Sequence, residues 1–223
     1  MGNRNDHYLP WEDYLQVAPG AAAKVAPDGT LLPFYGNTVI FDLNDTTKAR
    51  LKRLQDRLYE RCGHFLSEPL AEDSFHMTLH DLVSGTDREE VRWRMNEVAP
   101  YAKQRVEEVK RLLDLSNHMA PTKLVSMVST SVVLLLEPAS DLCRFQLNIS
   151  YEKLQSVVHL NYGLTPHITL AYYRPGVIYG ADLQTLADTL AQLSCELDFP
   201  VVLKHSDLHY REFYDMNHYV EEI

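Results

Sequence analysis

No stretch of this chain is apolar enough to cross a bilayer. The longest aliphatic run, Val132 to Leu136, is five residues, against the roughly 18 that a spanning helix needs. Cysteine is also scarce. Cys62, Cys143 and Cys195 cannot all pair with one another and show no CxxC spacing. That excludes a disulfide framework and a zinc site built of cysteine alone, and reads as three reduced thiols. Positive charge is short as well, with 21 Lys+Arg against 31 Asp+Glu and a formal net charge of −10. A protein that grips a long stretch of nucleic acid through many phosphates shows a basic face. Long nucleic acid is therefore not expected as a partner, and any phosphate belongs to a small local site. Met1 to Pro10 carries charges and no apolar core, so it is not expected to act as a signal peptide. The expectation is a cytoplasmic protein without a membrane partner.

What is present suits a folded protein. The 223 residues are 45% hydrophobic and 23% charged, enough for a sizeable core, and the length favours one larger domain over two. Residues 1–35, with Pro10, Pro19, Pro27 and Pro33, read as an N-terminal arm lying over the domain, with a short helical turn around Trp11 to Leu15. Residues 36–223 read as a single domain in which strand-like and helix-like segments alternate.

Thr38 to Phe41 is β-branched and aromatic, a buried strand. Asn44 or Asp45 caps a helix whose Leu51, Leu54 and Leu58 recur at helical spacing until Gly63. His76 to Val83 is the next strand. Thr86 to Glu89 has the form of a capping box, and Pro100 is expected to break or restart the helix that follows, with Val106, Val109, Leu112 and Leu113 continuing its stripe. Lys123 to Val128 and Val132 to Leu136 read as two strands or one long bent one. Ser140 caps a helix with Leu142, Phe145 and Ile149 inward. His167 to Tyr173 is a strand, Leu183 to Leu193 a last helix, and Val201 to Leu203 with Leu208 to Phe213 give closing strands. In each half a strand leads to a capped helix and then to a strand beginning with His. The order predicts a duplicated α+β fold with two antiparallel sheets and helices on their outer faces.

The two His strands carry the chemistry. One reads Phe75-His76-Met77-Thr78-Leu79, the other Pro166-His167-Ile168-Thr169-Leu170. Residues i and i+2 of a strand share a face, so each His stands beside its Thr while Met77, Leu79, Ile168, Leu170 and Tyr172 turn to the core. An imidazole titrates near neutrality and can accept or donate a proton. A Thr hydroxyl can donate to a non-bridging phosphate oxygen, where charge builds in the transition state. Two such units facing each other would hold one phosphorus atom between them, with no metal or other cofactor needed.

The paired motifs and the strand–helix duplication resemble the 2H phosphoesterase superfamily. Gly36-Asn37-Thr38-Val39-Ile40, Ser74 to Leu79 and Pro166 to Tyr172 look most like its cyclophosphodiesterase-like branch. The resemblance implies a bilobal fold with a central groove and motifs facing each other across a pseudo-twofold axis. It also implies metal-independent action on a 2′,3′-cyclic phosphate, or a related 2′–5′ or 3′–5′ phosphodiester, of a nucleotide or short oligonucleotide. His76 and His167 would then be the catalytic acid–base pair, with Thr78 and Thr169 binding phosphate; which His is base stays open. Tyr173, on the face of His167, could stack on a base, and Asn37 and Tyr35 enter the first strand beside the groove as substrate-contact candidates. His80 is expected at the rim, Arg174 and Lys204 on the surface, and His205, His209 and His218 exposed in a polar tail. Two rival readings are a binding module that keeps the groove without turnover, and a metal hydrolase drawing on the ten histidines, whose spacings give it little support.

Overall fold

A computed structural model describes residues 13–112 and 116–221; Met1 to Pro10, Trp11 and Leu113 lie outside them. Its strands are β1 (Tyr14–Gln16), β2 (Tyr35–Asp42), β3 (His76–Gly85), β4 (Ser116–Met127), β5 (Ser131–Pro138), β6 (His167–Tyr172), β7 (Val177–Tyr179), β8 (Val201–Lys204), β9 (Leu208–Phe213) and β10 (Tyr219–Val220). Its helices are α1 (Asp45–Cys62), α2 (Arg88–Leu112), α3 (Asp141–Gln155) and α4 (Gly180–Ser194). Two four-stranded antiparallel sheets dominate, ordered β10-β9-β2-β3 and β6-β5-β4-β8. The predicted α+β class holds, with a third, two-stranded sheet of β1 and β7 added.

The duplication is visible in the order β2-α1-β3 and β5-α3-β6. In each, the flanking strands pair directly and the helix opens on a side-chain cap: Asn44 Oδ1 accepts from the Thr47 N–H at 2.9 Å, and Ser140 Oγ from that of Cys143 at 3.2 Å. The connecting helix does not simply cover the strands it joins. α1 packs on α4 and β6, so its Leu51 and Leu58 are buried beneath the second sheet. There Gln55 Nε2 donates to the carbonyls of Leu70 and, at 2.9 Å, Leu170. α2 covers β2, β3 and β9, and α3 reaches α2 and β3 of the first lobe. One continuous core ties the lobes together.

Several local expectations are corrected. Of the two readings for residues 123–136, two strands holds and one long bent strand does not: β4 and β5 are joined by a tight turn in which Val128 (φ 43°) and Ser129 (φ 55°) are left-handed. Pro100 does not break α2, which runs unbroken past it, and Asp87 rather than Thr86 caps that helix through the N–H groups of Glu89 and Glu90. On α3 the buried face is Cys143, Gln146, Leu147, Ser150, Tyr151 and Leu154; Leu142 and Phe145 point outward, 60% and 61% exposed. The described part of the N-terminal segment does not lie over the domain but enters it. Residues 14–16 are strand, not helical turn, and Leu15, Val17, Ala21 and Val25 are buried in the core. Among the described residues no helix is long and apolar enough to cross a membrane.

Candidate active site

Strand alternation does what the sequence requires at the start of each motif. His76 and Thr78 are partly exposed with Met77 buried between them, and His167 and Thr169 likewise flank buried Ile168. Immediately after each Thr the ladder slips. Ile40 faces Thr78 but Val39 faces His80, leaving Leu79 extra; Val133 faces Thr169 but Val132 faces Ala171, leaving Leu170 extra. An inserted residue of this kind reverses which side later residues take. Asp81 and Tyr172 therefore line the groove, while Tyr173 goes fully into the core rather than the groove wall. His80 is likewise not at the rim: it is 1% exposed, its ring 5.0 Å from that of Tyr151.

β3 and β6 approach each other across the lobes, and His76, Thr78, His167 and Thr169 line one cavity of about 1410 Å³. Both imidazoles are tethered alike. His76 Nδ1 lies 2.7 Å from the Ser74 carbonyl oxygen, and His167 Nδ1 lies 2.7 Å from that of Thr165. A carbonyl oxygen can only accept, so Nδ1 carries the hydrogen and, in the neutral ring, Nε2 keeps its lone pair. Each ring thus has one nitrogen fixed by the main chain and one available for chemistry.

Burial pushes His76 down to about 4, helped by His167 and opposed by the Ser74 carbonyl, Asp42 and Asp81. Burial also lowers His167, against the Thr165 carbonyl and Asp81. Lys24, Lys123 and Arg144 supply positive charge along the cavity wall. The Lys24 ammonium sits over two rings, 5.0 Å from the centre of Phe34 and 5.2 Å from that of Tyr172. Asp81 accepts a hydrogen bond of 2.9 Å from the Tyr162 hydroxyl. Among the described residues no group of three or more His, Cys, Asp or Glu is placed to hold a metal ion.

The remaining candidates sit apart from the histidine pair. Asn37 is buried at the cavity floor with both ends of its amide engaged: Nδ2 donates to the Tyr210 hydroxyl at 3.0 Å, and Oδ1 accepts from the Val83 N–H at 2.9 Å. Tyr35 lines a separate cavity beside α2, under the Arg88 guanidinium. Arg174 Nε donates to the Leu66 carbonyl at 2.6 Å, and Lys204 is exposed on β8. His205 is buried against Phe41 and His209 half-buried on β9, both against expectation, while His218 is exposed beside Asp215. Sequence reasoning missed Lys24, Asp81, Tyr162, Tyr172 and Tyr219 as cavity residues. Only the ladder slips, which leave no mark in composition, would have shown that Asp81 and Tyr172 face inward.

The family model 2H-phosphodiest, a domain of unknown function (DUF1868), matches residues 24–129. That match spans just under half of the chain, which is therefore similar to the 2H phosphoesterase superfamily over its first half. The matched stretch runs from Lys24 through the first motif, and the fold sets the second motif, outside the match, opposite it. A conserved protein of unknown function, ATU0111 from Agrobacterium tumefaciens str. C58, shares the fold at a TM-score of 0.70 and 18% identity, over 92% of this chain and 91% of that one. E. coli LigT in apo form is similar at a TM-score of 0.48 and 12% identity, over 85% and 95% of the two chains. TT0787 of Thermus thermophilus is similar at 0.43 and 16%, over 65% and 80%. A search of curated proteins finds no match.

Proposed function

We propose that this protein is a 2H-type phosphoesterase that hydrolyses a 2′,3′-cyclic phosphate, or a related 2′–5′ or 3′–5′ phosphodiester, of a nucleotide or short RNA end. The observation that carries the reading is the pair of identical tethers, which leaves two Nε2 atoms on one cavity, each with a Thr hydroxyl two residues on. One neutral imidazole takes a proton from water as its oxygen bonds to phosphorus. The other, protonated, gives its proton to the ribose oxygen as the P–O bond to it breaks, and a phosphomonoester leaves. Thr78 and Thr169 donate to the non-bridging oxygens. The three cavity cations favour an anion in a protein whose net charge is −10.

A panel of 2′,3′-cyclic nucleotides and short 2′–5′ and 3′–5′ oligomers, read by phosphate-end analysis, tests this. Turnover should survive EDTA and fall about 10²- to 10⁴-fold in either His76→Ala or His167→Ala. Turnover undiminished in both variants would sink the assignment, and binding of a cyclic nucleotide without cleavage would favour the binding-module alternative.

A further inference from the structure

We infer that the C-terminal hairpin completes one half of the site only, with Tyr219 as a positioning residue that seats His76 and makes the two histidines unequal. The two motifs are alike in sequence, tether and ladder slip, yet their surroundings differ. The Tyr219 ring meets that of His76 edge-on, with centroids 4.5 Å apart, whereas no aromatic ring contacts His167 among the described residues. Tyr219 is supported from behind by Phe213, 5.4 Å away and its register partner on β9, and Phe213 stacks in turn on Phe34.

The hairpin is fastened to the first motif by more than this ring. Asn217 Oδ1 accepts from the Ala71 N–H at 2.7 Å and lies 3.4 Å from Ser74 Oγ, whose hydrogen goes to the Ala71 carbonyl at 2.7 Å. Ser74 is the residue whose carbonyl holds His76 Nδ1. Asp215 knots the turn itself, accepting from the Asn217 N–H at 2.7 Å and meeting His218 Nδ1 at 2.8 Å. Tether and ring cover of His76 therefore belong to one hydrogen-bonded unit.

A ring packed on one side of an imidazole excludes water and disfavours its charged form. The charged or titratable groups facing His76 are Asp42 opposite it on β2, Asp81 on its own strand, His167 across the cavity and Tyr219 itself. Resting on the acid–base reading above, this asymmetry makes His76 the proton acceptor toward water and His167, the ring without that cover, the donor to the leaving oxygen.

Titration of the His Cε1–H signals by NMR on the whole protein reads the imidazoles separately, with His76→Asn and His167→Asn assigning the peaks. Tyr219→Phe keeps the ring edge and should titrate like the parent, with kcat within about threefold. Tyr219→Ala should raise the His76 midpoint toward its ordinary value, leave His167 in place, and lower kcat on a cyclic phosphate about 10- to 100-fold with little change in KM. Asn217→Ala, which keeps the ring but loosens the hairpin, should move His76 the same way by less. An unmoved His76 in Asn217→Ala and Tyr219→Ala, equal movement of both imidazoles, or an effect confined to KM would each overturn the inference. The titration needs no substrate, so a parent protein without turnover would count against the proposed function and leave this assignment to be decided on its own.

Discussion

His76 and His167 are held by the same bond: in each, Nδ1 lies 2.7 Å from the carbonyl oxygen two residues upstream. Under the proposed function, rings so fixed would present both Nε2 atoms to the shared cavity in a set orientation, which is how a positioned group lowers a barrier.

The neighbouring hydroxyls should matter nearly as much as the rings. Thr78→Val and Thr169→Val keep shape and remove the donor, and each should lower kcat by about 10²-fold. Steady-state kinetics on the best cyclic phosphate checks this. A change in either variant of less than about threefold would remove that Thr from the phosphate site.

Asn37 should behave as part of the scaffold. Its amide spans the slip between β2 and β3, and Asn37→Ala would leave the Val83 N–H buried without its acceptor. A loss of about 1–3 kcal/mol in urea unfolding is expected, with KM unaltered. Unchanged stability with a raised KM would instead mark Asn37 as a substrate contact.

Acid should destabilise the fold through histidine. Burial lowers His76 to about 4 and also lowers His80, His167 and His209. Below about pH 6.5 the unfolded chain therefore binds more protons than the folded one. Stability from this source is whole above pH 6.5 and is lost as the pH falls toward 4. His76 alone contributes up to about 3 kcal/mol. Urea unfolding at pH 7 and pH 4.5 should show the loss, and His76→Asn should shrink it. An equal loss in that variant would contradict the burial of His76.

What the sequence made legible was whatever depends on near neighbours. His-x-Thr alternation, the Asn44 and Ser140 caps and the strand–helix–strand order could all be read locally. What stayed hidden depends on distant partners. The extra residues at Leu79 and Leu170 exist only relative to Val39 and Val132, and they exchanged the fates of Tyr172 and Tyr173. α3 carries apolar residues on two stripes, and packing chose the one with Leu147 and Leu154 over the one with Leu142 and Phe145. Pro100 is exposed on a helix long enough to continue past it. Tyr219 lies in a polar tail, and nothing near it in the chain announces that it returns to His76.

The central claim is that two imidazoles serve one phosphorus, and binding of inorganic phosphate, followed through both His Cε1–H signals, tests it most directly. The account predicts that His76 and His167 shift together along a single 1:1 binding curve. Shifts confined to one ring, or two curves with separate midpoints, would contradict it.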